Sequence, residues 1–577
     1  MHEKILEKLP SGEAHTLLTE GGEEGYEYAD EGSQAVDEGG GTELTKIPDG
    51  AESSEDGGRL AGPDEVAREN EVLLIDSVNH FDCKDKNTKD QADGFSLKSR
   101  QGKSKCCLPR KCCHSSLFSP FCRQLANVIV ACLAGLSVGT IHAFPAVSLP
   151  RWEEMGFTLT TAQTTWFAST PMIISVLVCW ASGIIVEYFG NRKCLMIGVS
   201  ILALSWIVIA LAESFWALLL GRILQGLTAS IYMVIITVYP AEVSISCWRG
   251  IMTGISEAMV MLGAFLTYLA GISLQPSAIA TLFAVMVIPK FVAYYFLRDS
   301  PLWLARQDKD EEAASTLRCL RGPTIDITEE LEQIKDSVAT ERIQKPSATE
   351  QMLLLRKKIY FKPLLLSVLV LLFKELTGQY AAMAYTVKIF KMAGSSLDPY
   401  WCAVVMGAAR FLPCFTSWIL IERLPRRLLI CSCMTLASFA LATLGAFLFF
   451  WSKKKDGLPP SLGWIPLLCF LVFTLVFGSG IGPTCWTLVA ELLPSKVRNV
   501  GAGIINTCFS LFLFLVGLTF PFMVEGMGIG LVFITYSACT LSGVIFIVAC
   551  LPETKGMTFT EIQTALKGNK YEASDAA

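Results

Sequence analysis

Four charged residues fall inside apolar stretches: Glu257, Lys374, Glu375 and Arg410. Counting inward from the nearest loop cations, Glu257 lies eight residues past Arg249, Lys374 twelve past Lys362 and Arg410 thirteen before Arg423. At a helical rise of ~1.5 Å per residue these depths are about 12, 18 and 20 Å, well inside a hydrocarbon layer. A charge at the centre of a bilayer costs about 2.5–3.5 kcal/mol on insertion scales, so four facing lipid would cost on the order of 10 kcal/mol. They must face a bundle interior and one another. Two readings stand side by side. The four charges bind a zwitterionic or charged solute, or couple its movement to protons through Glu257 or Glu375; alternatively they pair as buried salt bridges, and a neutral polyol bonds to the paired groups.

The elements that must position these residues are membrane spans. The chain has 577 residues, 52% hydrophobic and only 18% charged, with a mean hydropathy of +0.46, which is the composition of a polytopic membrane protein. Apolar runs of about 20 residues, long enough to cross, recur from Leu125 onward. Twelve spans are expected: six within 124–298, a partly helical linker over 299–361, six more within 362–552, and a tail over 553–577. The fold class expected is all-α, two six-helix bundles in a membrane. Residues 1–123 read as a disordered tail: positions 1–80 hold 21 acidic against 5 basic residues, few aromatics and no apolar period. The rest of the chain is basic. Arg192, Arg249, Arg423, Arg426, Arg427 and Arg498 fall in connections on the linker's side, which places that side and both termini in the cytoplasm. Charge distribution and size argue against a nucleic-acid partner and a secreted disulfide scaffold. No nucleotide-binding loop or metal-site motif stands out, so neither an enzyme nor a cofactor is expected.

The two halves share loop patterns. After span 4 the chain reads Pro240-Ala-Glu242 with Arg249, and after span 10 Ala490-Glu491-Leu-Leu-Pro494 with Arg498, an acid followed seven positions later by Arg in both. Gly183 to Lys193, Gly221-Arg222 with Gly226, Arg298-Asp-Ser-Pro301-Leu-Trp303-Leu304, Gly482-Pro483 with Trp486, and Pro552-Glu553-Thr554-Lys555-Gly556 follow in order. Together these motifs resemble the sugar porters of the major facilitator superfamily, a family that includes insect facilitated trehalose transporters. The resemblance covers roughly 125–565. It implies a plasma-membrane carrier that moves a small polar solute, a hexose or trehalose, by alternating access. A carrier of zwitterionic or charged solutes and a non-transporting sensor are the rivals.

A gating role is expected for Glu187, Arg192, Arg222, Glu242 and Arg249 in the first half, and for Glu422, Arg426, Glu491 and Arg498 in the second. Such residues form bridges between bundles and helix-end contacts when the inner mouth is closed; the competing reading is that they only orient and cap helices. The solute site is expected at mid-membrane from Glu257, Lys374, Glu375, Gln379, Tyr380, Arg410, Trp486 and Asn506. Here the chain departs from the family it resembles. Where sugar porters carry Gln-Gln in span 7, a Gln in span 5 and an Asn in span 8, this sequence has Lys374-Glu375, Glu257 and Arg410. Cys106, Cys107, Cys112 and Cys113 stand among Lys and Arg just before span 1, a pattern that fits S-acylation and attraction to anionic lipid better than a zinc site.

Overall fold

The protein is described from a computed structural model. It covers residues 120–561, apart from 246–247, 323–324, 345–347, 395–396, 453–461, 494–496, 556 and 558–560. The four juxtamembrane cysteines, 106, 107, 112 and 113, lie outside the described residues, and so does the acidic tail. The described chain is helical. Eleven helices among the described residues are long and apolar enough to cross a membrane. Spans 1 to 5 are Pro120–Glu154, Thr161–Phe189, Asn191–Ala210, Phe215–Val243 and Arg249–Ser273. Span 6 is Pro276–Phe296, and spans 8 to 12 are Pro399–Arg423, Arg426–Ser452, Ile465–Leu492, Arg498–Met527 and Ile529–Cys550.

Span 7 makes the twelfth crossing in three pieces, Lys358–Glu375, Gln379–Ala384 and Thr386–Ala393. The first break falls at Gly378, which adopts φ +79° where a side chain would be strained and would strike the Tyr536 ring. Thr377 Oγ1 donates to the Lys374 carbonyl at 2.7 Å, satisfying one of the groups that the break frees. Backbone breaks at membrane depth survive where they are buried in protein, and they expose side chains at helix ends to a cavity. Span 10 is also irregular. A π-turn over Phe477–Ile481 shifts its register halfway across, and such bulges gather at functional sites.

Bundle packing depends on small residues, because apolar burial gives helices little reason to associate in lipid. Spans 1 and 5 cross at a reciprocal pair: a Cβ on Gly139 would sit 1.9 Å from the Val260 carbonyl, and one on Gly263 would sit 2.1 Å from the Leu136 carbonyl. Gly445 and Gly530 make the same kind of contact between spans 9 and 12.

The internal repeat appears as matching helix caps. In the first half Asp299, just after span 6, accepts the Arg192 amide at 2.9 Å and so caps the start of span 3. In the second half Glu553, just after span 12, accepts the Arg426 and Arg427 amides at 2.9 and 3.1 Å and caps span 9. A carboxylate at a helix N-terminus meets unpaired amides and the positive end of the dipole. The next residue repeats too: Ser300 lies against the Glu242 carboxylate, and Thr554 Oγ1 donates to Glu491 at 2.5 Å. Asp299 is largely buried, which pushes its carboxyl up from the usual range, while the Arg192 amide and charge pull it back.

The linker contains four helices, Pro301–Arg306, Asp310–Arg321, Thr328–Gln344 and Ala348–Leu354. Trp303 Nε1 donates to the Glu187 carbonyl at 2.7 Å, fixing the first of them to span 2. Gln351 in the last accepts the Val500 amide at 3.3 Å, touching span 11 in the other half.

Gly263→Ala should lower the thermal midpoint in detergent, at an overpacking cost of about 1–3 kcal/mol, because its new methyl meets rigid backbone. Gly183→Ala, with nothing within 4 Å of the added carbon, should leave the midpoint unchanged or raise it slightly.

Candidate functional site

Spans 5, 7, 8 and 10 meet around a small cavity. It is lined by Ala264 and Tyr268 from span 5, Gln379, Ala382, Met383 and Thr386 from the broken span 7, Met406, Gly407 and Arg410 from span 8, and Phe470 and Thr474 from span 10. It therefore lies between the two bundles. Gln379 and Thr474 are 6% and 2% exposed. Gln379 Oε1, Thr474 Oγ1 and one terminal nitrogen of Arg410 are buried without a hydrogen-bond partner. A buried polar atom without a partner costs about 1–3 kcal/mol, so a polar group entering this cavity could offset that cost at three places.

The four mid-membrane charges divide. Lys374 Nζ meets Glu375 Oε1 at 2.5 Å, both nearly inaccessible, at the end of the first piece of span 7. The ammonium lies 4.7 Å from the Phe509 ring centroid, 5.8 Å from that of Phe477 and 6.0 Å from that of Trp486. This pair does not line the cavity. Arg410 does: its Nε donates to Met261 Sδ at 3.1 Å and its guanidinium stacks 4.6 Å from Phe477. No carboxylate among the described residues lies within 4.0 Å of Arg410; Glu257 and Glu375 act on it from farther off. Glu257 and Asn506 are exposed. Trp486 packs edge-on against Phe509 at 5.0 Å. Tyr380 turns away from the cavity and donates to the Ala168 carbonyl at 3.0 Å, bridging the bundles.

The expected gating residues also divide. Arg222 is misplaced by the expectation of a loop-end gate. It enters span 4 from the face opposite the linker, is wholly buried, and donates to the carbonyls of Phe167, Ile141 and Ala168 and to Gln225 Oε1 at 2.7–3.3 Å. It welds spans 1, 2 and 4 within one bundle. Glu242 faces Arg306 of the adjoining linker helix at 3.7 Å, and Glu491 faces Arg426 at 3.4 Å within its own half. Arg192 stacks 5.1 Å from Tyr295, again in its own half. Glu187, Arg249 and Glu422 are exposed on the linker face, and the Arg498 side chain lies outside the described residues. Among the described residues, the ion pair that joins the bundles lies on the opposite face. There Lys391 of span 7 meets Glu154 of span 1 at 2.5 Å, Arg151 holds Glu154 at 3.1 Å, and Tyr400 of span 8 donates to Glu154 at 3.3 Å. Arg151 also stacks 4.2 Å from the Tyr400 ring, and Thr161 of span 2 donates to Glu525 of span 11.

Sequence reasoning missed Tyr268, Thr474 and the Glu154 cluster. Hydroxyls in spans usually bond their own helix, as Thr386 does to the Ala382 carbonyl, so Thr474 carried no signal. Tyr268 donates across the bundle interface to the Met383 carbonyl at 2.8 Å. An acid and two cations at span ends on the face with few charges were the legible clue to the Glu154 cluster.

A cavity between two helix bundles, with one face tied by polar contacts between them, is the arrangement of a membrane carrier of the major facilitator type. Residues 72–566 match the model of the sugar (and other) transporter family, and the chain belongs to that family. The facilitated trehalose transporter Tret1 of Polypedilum vanderplanki is 28% identical over 79% of this chain and 90% of its own length. A Tret1-2 homologue of Drosophila simulans is 30% identical over 78% of this chain and 91% of its own. Among solved structures, the proton:xylose symporter XylE bound to 6-bromo-6-deoxy-D-glucose superposes with a TM-score of 0.62 at 20% identity, covering 77% of this chain and 98% of XylE. A partially occluded inward-open form of XylE from E. coli gives 0.64 at 18%, covering 75% and 99%. These likenesses establish the fold.

Two predictions separate structural from mobile charges. Glu375→Gln alone leaves a buried lysine unpaired and should cost about 3–5 kcal/mol, seen as a lower thermal midpoint; Lys374→Gln with Glu375→Gln should recover most of it. Glu154→Ala should loosen the face opposite the linker by about 1 kcal/mol, raising hydrogen exchange several-fold over residues 155–160 while the linker helices keep their protection.

Proposed function

We propose that this protein carries a small sugar, a hexose or trehalose, across the plasma membrane by alternating access, with the linker face and both termini in the cytoplasm. The observation that carries this reading is the cavity between the bundles with its three unpartnered polar atoms. Gln379 and Thr474 present an amide oxygen and a hydroxyl, groups suited to sugar hydroxyls that donate and accept. The trehalose-transporter relatives support the substrate class, as does the sugar derivative bound to XylE. Bundles 124–298 and 362–552 rock as units: Glu491–Arg426 and the capping acids bind each half internally, Glu242–Arg306 ties the first to its adjoining linker helix, and the Glu154 cluster is made and broken between the bundles. Glu187, Arg192, Arg249, Glu422 and Arg498 serve the linker-side mouth in the alternate state. In the same scheme Tyr380 and Trp486 hold the walls of the site, and Glu257 and Asn506 face the path to it. Glu257, exposed and acting on Arg410 from a distance, is the group through which protons would couple. Acylation of Cys106, Cys107, Cys112 and Cys113 anchors the tail to lipid.

Uptake of labelled trehalose and glucose into proteoliposomes tests this. Saturable uptake competed by unlabelled sugar is expected, and Thr474→Val or Gln379→Ala should each raise KM about fivefold, the worth of one hydrogen bond of about 1 kcal/mol. Binding without uptake of any sugar would favour a sensor.

A further inference from the structure

Cations within the membrane-spanning helices are answered in different ways. Arg222 has four oxygen acceptors at 2.7–3.3 Å. Lys374 has Glu375 and a ring of aromatic faces. Lys290 donates to Ser137 Oγ at 2.7 Å. Arg410 has a thioether and one ring, and a terminal nitrogen with no partner at all. It is also the charged side chain that lines the cavity, and no acid lines it. Glu375 is committed to Lys374, and Glu257 stands beyond ion-pair distance.

A guanidinium cannot shed its proton at any physiological pH, so the site keeps a full positive charge whatever it holds. A neutral sugar leaves that charge without a counter-ion at membrane depth, whereas a carboxylate matches the guanidinium fork and forms charge-assisted bonds roughly twice as strong as neutral ones. Gln379 and Thr474 remain for the hydroxyls. We propose, building on the sugar-carrier reading, that the cavity prefers a sugar acid with one carboxylate, a monosaccharide uronate or aldonate, and that Arg410 is its counter-ion. Carried without a proton, each such solute would move one negative charge, and an uptake-favouring membrane potential would be positive inside.

The test uses the full-length chain in proteoliposomes and in detergent, with glucose and glucuronate as a matched pair that differ in a hydroxymethyl against a carboxylate. Glucuronate should bind at least about tenfold more tightly than glucose, read by intrinsic tryptophan fluorescence in detergent. Its uptake should rise with an inside-positive potassium diffusion potential. Arg410→Gln should weaken glucuronate binding at least about tenfold more than it weakens glucose binding, and Arg410→Lys should retain part of the preference as a point charge. Equal binding of the two by the unaltered protein would overturn the inference, whether or not the variants fold. So would a glucuronate preference that survives Arg410→Gln. If trehalose or glucose is carried and glucuronate is not preferred, the sugar-carrier reading stands and this inference falls. If glucuronate binds through Arg410 but nothing is carried, the site assignment stands and transport falls.

Discussion

Inside a bilayer each charge and each polar atom must be answered by a group within reach, because no water is there to do it. That constraint organises this molecule. It draws Lys374 onto Glu375, it surrounds Arg222 with carbonyls of spans 1 and 2, and it keeps the break in span 7 buried beside Tyr536. Buried polar atoms left without a partner are scattered through the described residues, but three of them gather in one place. Gln379, Thr474 and Arg410 are held by three different spans and meet at one cavity between the bundles.

The second consequence concerns what moves. Ties within each half are numerous and duplicated: an acid after the sixth span caps the third, and the neighbouring hydroxyl meets the acid at the end of the fourth. Such ties do not change when one bundle tilts against the other. Contacts between halves are of another kind. Tyr380 to the Ala168 carbonyl, Tyr268 to the Met383 carbonyl and Lys391 to Glu154 all cross the interface around the cavity or on the face opposite the linker. Gly254 seats Trp418 on the linker half of the same interface. Rigid halves joined by contacts that can be exchanged are what alternating access requires.

Much of this was legible in the sequence. Apolar runs, loop cations and repeated loop motifs located the spans, and depth counting found Arg410. Two features were not. Arg222 sits in a motif that reads like the loop motifs, and only its position two turns into span 4 from the opposite face reveals a buried weld. Span 7 looked like one apolar run, yet Leu376-Thr377-Gly378 ends its first helix, and this break separates Lys374 and Glu375 from Gln379. Depth along a helix says how far a residue is from the surface; it does not say which side of the helix it occupies. Lys374 and Arg410 are therefore similar in depth and opposite in role.

The two opposite-charge sets also differ in how they respond to motion. Lys374 and Glu375 are chain neighbours on one helix, so their attraction is the same in every state of the carrier. Glu257 and Arg410 belong to spans 5 and 8, in different bundles, and their separation changes as the bundles rock. In the present arrangement they are too far apart to pair, and Arg410 lines the cavity without a carboxylate within 4.0 Å among the described residues. An anion bound there removes that cost in this state and has less effect in any state where Glu257 approaches. Differential stabilisation of this kind is the only way a solute biases a conformational equilibrium. As the counter-ion of an anionic solute, Arg410 would couple what the cavity holds to how the bundles are arranged, a link that the Gln and Asn of the sugar-porter pattern, being neutral, would make far more weakly.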